Sequence, residues 1–144
     1  MKKIFVTIAF ALASLSIMHA DDKAVTFNQL PKKAQEFIRQ YYPNEKVSYA
    51  SVDDDIISPE YQVALVGGIM LQFESSGKLD SIETRNGNIP AGIIPERIAA
   101  TAKEHFPDAI IIGYDIDRKS YEIKLSNRME MTFDSLFNLV EIDD

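Results

Sequence analysis

Four aspartates in two short acidic stretches are the residues whose type and spacing could hold a metal ion. Asp53 and Asp55 lie in the stretch DDD, and Asp115 and Asp117 lie in the stretch DID. Hard cations such as calcium prefer carboxylate oxygens, but neither stretch has the spacing of an EF-hand loop. Charged ends of strands on an acidic protein also explain such clusters. The four aspartates are therefore weak candidates for a cation site.

Side chains suited to catalysis are few. The sequence has no Cys, and its two His residues are His19 and His105. Nucleophilic catalysis needs a base beside a Ser, Cys or Thr, and a zinc site needs several His or Cys ligands. No glycine-rich phosphate-binding motif is present either. We expect a protein that is not an enzyme and that needs no cofactor.

The N-terminal stretch has the pattern of a secretory signal. Lys2 and Lys3 precede a short uncharged apolar run, and Ala20 precedes two aspartates. The apolar run is shorter than the ~20 residues of a typical membrane span. We expect cleavage of residues 1–20 and a mature protein, residues 21–144, that is periplasmic or secreted. A retained N-terminal anchor helix is the alternative.

The charge balance limits the classes of partner. The whole chain has a net charge of −7, and loss of the two N-terminal lysines would make it −9. Nucleic acids need a basic footprint, and anionic lipid surfaces attract basic segments. We therefore expect no nucleic-acid partner and no stable membrane insertion after signal removal. A protein or peptide partner fits the charge better.

A helical phrase occurs twice, at an offset of 64 residues. LPKKAQEFIRQYYP begins at Leu30, and IPERIAATAKEHFP begins at Ile94. Apolar residues recur every four positions, which predicts one buried stripe along a helix of about three turns. Pro31 and Pro95 are expected at the first helical position, and the final Pro of each phrase is expected to end the helix.

After each helix the apolar period changes to two, which predicts β-strands. The first strand of each copy lies in KVSYASVD (46–53) or IIIGYDID (110–117), and a hairpin follows in YQVALVGGIMLQF (61–73) or YEIKLSNRMEMTF (121–133). Gly67-Gly68 and Asn127-Arg128 predict two-residue turns at the hairpin tips. We expect the Asn of the second turn to adopt the positive φ angle.

A fourth strand completes each copy, but its apolar residues break the alternation. Leu79 and Ile82 match Leu139 and Ile142, and each pair has opposite parity. A β-bulge or a strand that begins late would explain this break. The chain is thus predicted to be an α+β protein with two tandem α-β-β-β-β repeats, residues 25–83 and 89–143. They form one domain with a broad antiparallel sheet of about eight strands and the helices on one face.

The sheet face without helices is the main candidate for a binding surface. Alternation places Val47, Tyr49, Ala64, Val66 and Met70 on this face, which is more apolar than water contact requires. Exposed apolar patches with a polar rim often mark interfaces. Scattered surface apolar residues or a homodimer contact are the alternatives.

A second candidate contact lies in the loop after the first strand of the first repeat. This loop, residues 53–60, contains Ile56 and Ile57 and has no counterpart in the second copy. Exposed isoleucines would provide a further contact, although packing against the domain is an equal alternative.

The repeated phrases resemble the PepSY-like, beta-lactamase-inhibitor-like family of exported Bacteroidetes proteins. LPKKAQEFIRQYYPNEKV and IPERIAATAKEHFPDAII carry the resemblance, together with YQVAL…LQFESSGKLDSIE and YEIKL…MTFDSLFNLVEID. The second copy lacks the Gly-Lys pair in its last turn. The resemblance implies two α-β4 repeats, similar to a secreted inhibitor whose concave sheet holds its target.

We therefore expect an exported, non-enzymatic binding module. It would hold a protein or peptide through its open sheet face, and inhibition of a hydrolase is one outcome of such binding. The alternative is a periplasmic protein that binds a small ligand or a cation at the acidic strand ends. A purely structural oligomer is the third hypothesis.

Overall fold

The computed structural model describes residues 22–87 and 89–144. The segment expected to be a signal, residues 1–20, lies outside the described residues. The described chain is an α+β protein with one antiparallel sheet of nine strands and two helices, so the predicted fold class is confirmed.

The elements follow the predicted repeat. The first copy consists of α1 (Lys32–Tyr41), β2 (Val47–Val52), β3 (Tyr61–Leu65), β4 (Ile69–Phe73) and β5 (Leu79–Thr84). The second copy consists of α2 (Glu96–His105), β6 (Ile111–Ile116), β7 (Ser120–Leu125), β8 (Glu130–Asp134) and β9 (Leu139–Asp143). A short strand, β1 (Lys23–Ala24), and a 3-10 helix (Phe27–Gln29) precede α1 and were not predicted. The strands lie in the sheet in chain order.

Both helices begin one residue later than predicted. Pro31 and Pro95 are the caps that precede the helices, and their carbonyl oxygens accept bonds from the Gln35 and Ala99 amides at 3.1 Å. The prolines that follow the helices act as expected, because the residue before each has a non-helical φ near −134° (−133° and −135°). The predicted stripe is confirmed, since Ala34, Ile38, Ile98 and Ala102 are buried.

The two repeats share one hydrophobic core. β5 pairs with β6, which places Ile82 opposite Tyr114 at the centre of the sheet. A row of paired residues crosses the core side of the sheet from Ala50 to Ile142, and the buried helix residues pack in the same cluster. The helices therefore cover one face of the sheet and leave the other without a helix.

β-Bulges occur at matching places in the two copies. The register shifts after Val47 in β2 and after Ile111 in β6, and again at Asp80 in β5 and Val140 in β9. The bulges in β5 and β9 explain why their apolar residues break the alternation. The choice between a bulge and a late strand is thus decided in favour of the bulge.

The hairpin tips have three residues each, so the predicted two-residue turns are wrong. Leu65 pairs with Ile69, and the turn residue with a positive φ is Gly68, at 82°. The matching residue of the second copy is Arg128, at φ 72°, and not its Asn neighbour. Asn127 instead accepts a bond from the Met129 amide through its side chain, at 3.0 Å. A type I turn followed by a left-handed residue is a common three-residue hairpin.

The last turn of each copy keeps its backbone despite a large change in sequence. Gly77 and its counterpart Phe137 both have positive φ, 87° and 66°. Gly77 lies against the start of α1, where a Cβ atom would be 2.9 Å from the Pro31 Cβ and 3.0 Å from the Ala34 nitrogen. Phe137 instead packs its ring edge on Tyr121, with centroids 5.1 Å apart.

Arg97 ties α2 to the Phe137 turn through hydrogen bonds, whereas in the first copy α1 contacts the corresponding Gly77 turn directly. Its guanidinium donates to the Leu136 carbonyl at 3.0 Å and to the Asn138 side chain at 2.6 Å. The Asp134 carboxylate accepts bonds from the Asn138 and Leu136 amides, both at 2.9 Å, and its pKa is lowered mainly by the bond from Asn138. Polar bonds thus replace the close helix-to-glycine packing of the first copy.

Gly77→Ala should destabilise the protein by about 2–4 kcal/mol, because it combines a left-handed backbone with a clash against α1. Gly92→Ala is the matched control. Gly92 has φ 99°, but its Cβ would make only ordinary contacts with the Tyr41 side chain, at 3.6 and 3.8 Å, so the backbone cost alone predicts a loss of about 1–2 kcal/mol. Urea denaturation measures both values, and equal losses would contradict the packing argument.

Candidate functional site

The helix-free face is built from two rows of side chains that run across the strands. The first row consists of Tyr49, Ala64, Met70, Glu83, Gly113, Lys124, Glu130 and Asp143. The second consists of Ser51, Gln62, Gln72, Ser81, Asp115, Glu122, Thr132 and Glu141. The rows are continuous because every strand pairs with its neighbour across the sheet. This face is therefore one surface that spans both repeats.

The first repeat contributes an apolar strip to this face. Tyr49 lies opposite Ala64, and Ala64 lies opposite Met70, so the three side chains are adjacent. All three are half-buried. The Tyr49 hydroxyl is shielded from solvent and has no hydrogen-bond partner among the described residues. Val66 lies at the hairpin tip and is exposed.

Val47 does not lie with this strip, so its predicted orientation is wrong. It pairs with Leu65 and packs against the core, whereas Tyr49 pairs with Ala64 on the other face. The bulge between Val47 and Tyr49 causes the reversal. The same bulge turns Ile111 of the second copy toward the core, opposite Leu125. Strict alternation could not have predicted that either residue faces the core.

The second repeat contributes an acidic surface. Its paired strands place six carboxylates on the helix-free face: Asp115, Glu122, Glu130, Asp134, Glu141 and Asp143. Asp115 lies opposite Glu122, and Glu130 lies opposite Asp143. Like charges in directly opposed positions are destabilising. The acidic character of this surface would attract a cationic molecule.

An ion pair lies where the two surfaces meet. Glu83 and Lys124 stand on either side of Gly113 in the first row, and their charged atoms are 3.8 Å apart. Gly113 has no side chain to separate them. Burial raises the pKa of Glu83 above its ordinary value of 4.5, and the Lys124 ammonium partly offsets this effect.

The loop between β2 and β3 presents two isoleucines to solvent. Asp53 Oδ1 accepts bonds from the Glu60 and Asp55 amides at 3.0 and 3.3 Å. Asp55 Oδ1 accepts a bond from the Ile57 amide at 3.0 Å. These bonds hold the loop in a shape that leaves Ile56 96% and Ile57 90% exposed. Packing of the isoleucines against the domain is thus not observed.

The four aspartates proposed for a cation do not come together. Asp53 and Asp55 organise their own loop, Asp115 is buried in β6, and Asp117 accepts a bond from the Arg118 amide. Within residues 22–87 and 89–144 there is no group of three or more His, Cys, Asp or Glu side chains that could hold a metal ion.

Sequence inspection missed two cavities. One of about 180 Å³ lies at the first-repeat end of the second row and is lined mainly by polar residues, among them Ser51, Gln62 and Gln72. The other, of about 330 Å³, lies between the linker near Gly92 and α2. His105 lies at the exposed end of α2, where its Nδ1 is 3.0 Å from the Thr101 carbonyl oxygen. The histidine thus bonds within its own helix, and it lines neither cavity.

Comparison with known families identifies the chain. The model of the PepSY-like, beta-lactamase-inhibitor-like family matches it twice, over residues 17–80 and 59–141. The chain therefore belongs to this family, and the resemblance seen in the repeated phrases is confirmed. No curated protein is a significant match.

Solved structures from Bacteroides are similar to nearly the whole domain. A DUF2874-family protein from Bacteroides vulgatus, described as periplasmic, is 34% identical, with 87% of this chain and 98% of that chain covered and a TM-score of 0.81. A Bacteroides thetaiotaomicron protein described as calcium-regulated and periplasmic is 35% identical, with 86% and 98% covered and a TM-score of 0.82. A second Bacteroides vulgatus protein, described as periplasmic and of unknown function, is 30% identical, with 85% and 99% covered and a TM-score of 0.80. None of the helices in the described part of the chain has the length and apolarity needed to cross a membrane.

The raised pKa of Glu83 predicts a pH-dependent stability difference. A carboxyl whose pKa is higher in the folded state stabilises the fold below its unfolded pKa, and this stabilisation is lost as the pH rises through the folded pKa. Glu83→Gln cannot ionise, so its free energy of unfolding should improve relative to wild type as the pH rises from 4.5 toward neutrality.

Urea denaturation at a series of pH values measures this difference. Glu74→Gln, at an exposed turn carboxylate, is the matched control. A constant difference between Glu83→Gln and wild type across the pH series would contradict the assignment.

Proposed function

We propose that the protein is an exported, non-enzymatic binding module that holds a protein or peptide partner against its helix-free face. The observation that carries this proposal is the continuous surface formed by the two rows, apolar in one repeat and acidic in the other. Apolar contacts supply affinity, and complementary charge supplies specificity and rate of encounter.

The apolar strip is suited to anchoring a partner. Tyr and Met are enriched at the centres of protein interfaces. Tyr49 has a buried hydroxyl without a partner in the described residues, so an incoming polar group could satisfy it. Ile56 and Ile57 project from the adjoining loop, and Val66 projects from the hairpin tip; these three side chains would provide further apolar contacts. Val47 is not part of the proposed contact, because it packs against the core.

Export and inhibition form the finer part of the proposal. The similarity to periplasmic Bacteroides proteins and the signal-like pattern of residues 1–20 support export with cleavage after Ala20. The family description supports inhibition of a hydrolase as the result of binding, through occlusion of the active site of the partner. The absence of Cys and the position of His105 at a helix end support a role without catalysis.

Tyr49→Asp tests the helix-free face. Placing a carboxylate in an apolar contact costs about 2 kcal/mol or more of binding free energy, so the variant should recover much less of the partner than wild type does. The measurement is a pull-down from periplasmic extract with quantitative mass spectrometry. Ala100→Asp is the control, since it adds the same charge on the exposed side of α2. Equal recovery of the same proteins by wild type and Tyr49→Asp would reject the proposal.

Cation binding is a second candidate, favoured by the similarity to the protein described as calcium-regulated. The acidic surface of the second repeat is where such binding would occur, with Asp115 and Glu122 directly opposed. The dispersed positions of the four proposed aspartates favour the protein partner instead.

Titration calorimetry with calcium separates the two functions. If the face serves a protein partner, we expect no specific heat of calcium binding in the wild type. A saturable signal that disappears in Asp115→Asn, with magnesium as the competing ion, would replace the main proposal with the cation hypothesis.

A further inference from the structure

Within residues 22–87 and 89–144 no strand pairs with the outer edge of β9, whereas β6 pairs with the outer edge of its counterpart β5 in the first repeat. β9 matches β5 at an offset of 60, so Ile142 corresponds to Ile82. In the first repeat β6 pairs with the outer edge of β5 and places Tyr114 opposite Ile82. Within the described residues β9 pairs with β8 alone. The β5–β6 pairing of the first repeat therefore shows how an added strand would pair with β9 in the second repeat.

The missing strand leaves apolar surface exposed. Ile82 is 0% exposed, whereas Ile142 is 37% exposed. Val140, at the bulge of β9, is 64% exposed, and Leu136 in the preceding turn is exposed as well. An apolar strand edge with unpaired backbone groups is a template for pairing with another chain.

The opposite edge of the sheet is protected against copies of this chain. β2 corresponds to β6, so stacking of copies head to tail would pair the β9 of one with the β2 of the next. β1 already covers that position, with Ala24 opposite Ser51 and the Val25 amide bonded to the Ala50 carbonyl at 2.9 Å. β1 therefore opposes growth of an open-ended assembly.

Pairing of β9 with β9 of a second copy is opposed by charge. Antiparallel pairing centred on Ile142 would place Glu141 of each copy opposite Asp143 of the other. Both carboxylates lie on the helix-free face, opposite Thr132 and Glu130 of β8. Directly opposed like charges destabilise a sheet, whereas opposite charges stabilise it. The edge thus discriminates against its own copy and in favour of a basic strand.

We propose that the β9 edge receives one extended strand of a basic polypeptide partner in antiparallel orientation. An apolar or aromatic side chain of this strand lies opposite Ile142 on the helix side of the sheet, as Tyr114 lies opposite Ile82. Lys or Arg side chains on either side of it lie opposite Glu141 and Asp143 on the helix-free face. The inference goes beyond the proposed function, because it requires a polypeptide partner and not occupancy of the apolar strip.

Short labelled peptides test this docking. The probe is the capped peptide Lys-Val-Lys-Tyr-Lys-Val, and its control is the same composition in blocks, Lys-Lys-Lys-Val-Tyr-Val. Fluorescence anisotropy with the full mature chain should show at least about tenfold tighter binding of the alternating peptide, a difference of about 1.4 kcal/mol. Amide chemical shifts should change along β9 and remain unchanged along β2.

Two N-methylated forms of the alternating peptide separate strand addition from simple charge attraction. Each form blocks one alternate set of backbone N–H groups. In an antiparallel pair only one set faces the neighbouring strand, so one form should lose binding and the other should retain it. Equal binding of the two N-methylated forms would overturn the proposal. Equal binding of the alternating peptide and the control peptide Lys-Lys-Lys-Val-Tyr-Val would overturn it as well.

Charge reversal provides the specificity test. The variant with Glu141→Lys and Asp143→Lys should no longer bind the alternating lysine peptide and should bind the matching glutamate peptide. The control variant Ala100→Asp should still prefer the lysine peptide. A wild-type dimer whose β9 amides are protected from hydrogen exchange would show that a second copy occupies the edge and would overturn the proposal. The proposed function has its own readout in the Tyr49→Asp pull-down, so failure of the peptide experiment is distinguishable from failure of that proposal.

Discussion

The pairing of β5 with β6 is the constraint on which the rest of the structure depends. It places Ile82 against Tyr114 and joins the apolar sides of two small repeats into one core. A unit of about 50–60 residues buries barely enough apolar surface to offset its chain entropy. The chain has no Cys, so no disulfide can compensate. The shared core is therefore the main source of stability for both repeats.

Concentrating burial on one side of the sheet frees the other side to change. The two repeats keep the same bulges and turns, but their helix-free surfaces differ in chemistry. Gln62 and Met70 of the first repeat correspond to Glu122 and Glu130 of the second. Because these side chains lie on the face away from the core, the substitutions leave the shared apolar packing in place. A duplicated frame can thus present an apolar half and an acidic half to one partner.

Local sequence patterns predicted the elements well and the orientation of some side chains badly. Helix periodicity, the prolines and the hairpin alternation are short-range signals, so α1, α2 and the repeated strands were found. A bulge adds one residue and reverses every later side chain, which is why Val47 was assigned to the wrong face. The three-residue turn that ends at Gly68 was not predicted for a related reason. The length of a hairpin turn depends on which residues of the two strands are paired.

The sequence by itself determined the duplication, the α+β class and the scarcity of catalytic side chains, because composition and periodicity record these directly. Only the tertiary structure decided which residues share the helix-free face, since the β-bulges decide which side of the sheet each side chain faces. It also gave Asp53 and Asp55 a role in shaping a loop, and among the described residues it left the outer edge of β9, beside Ile142, without a neighbouring strand. These features arise from how neighbours are arranged in space, which no single segment encodes.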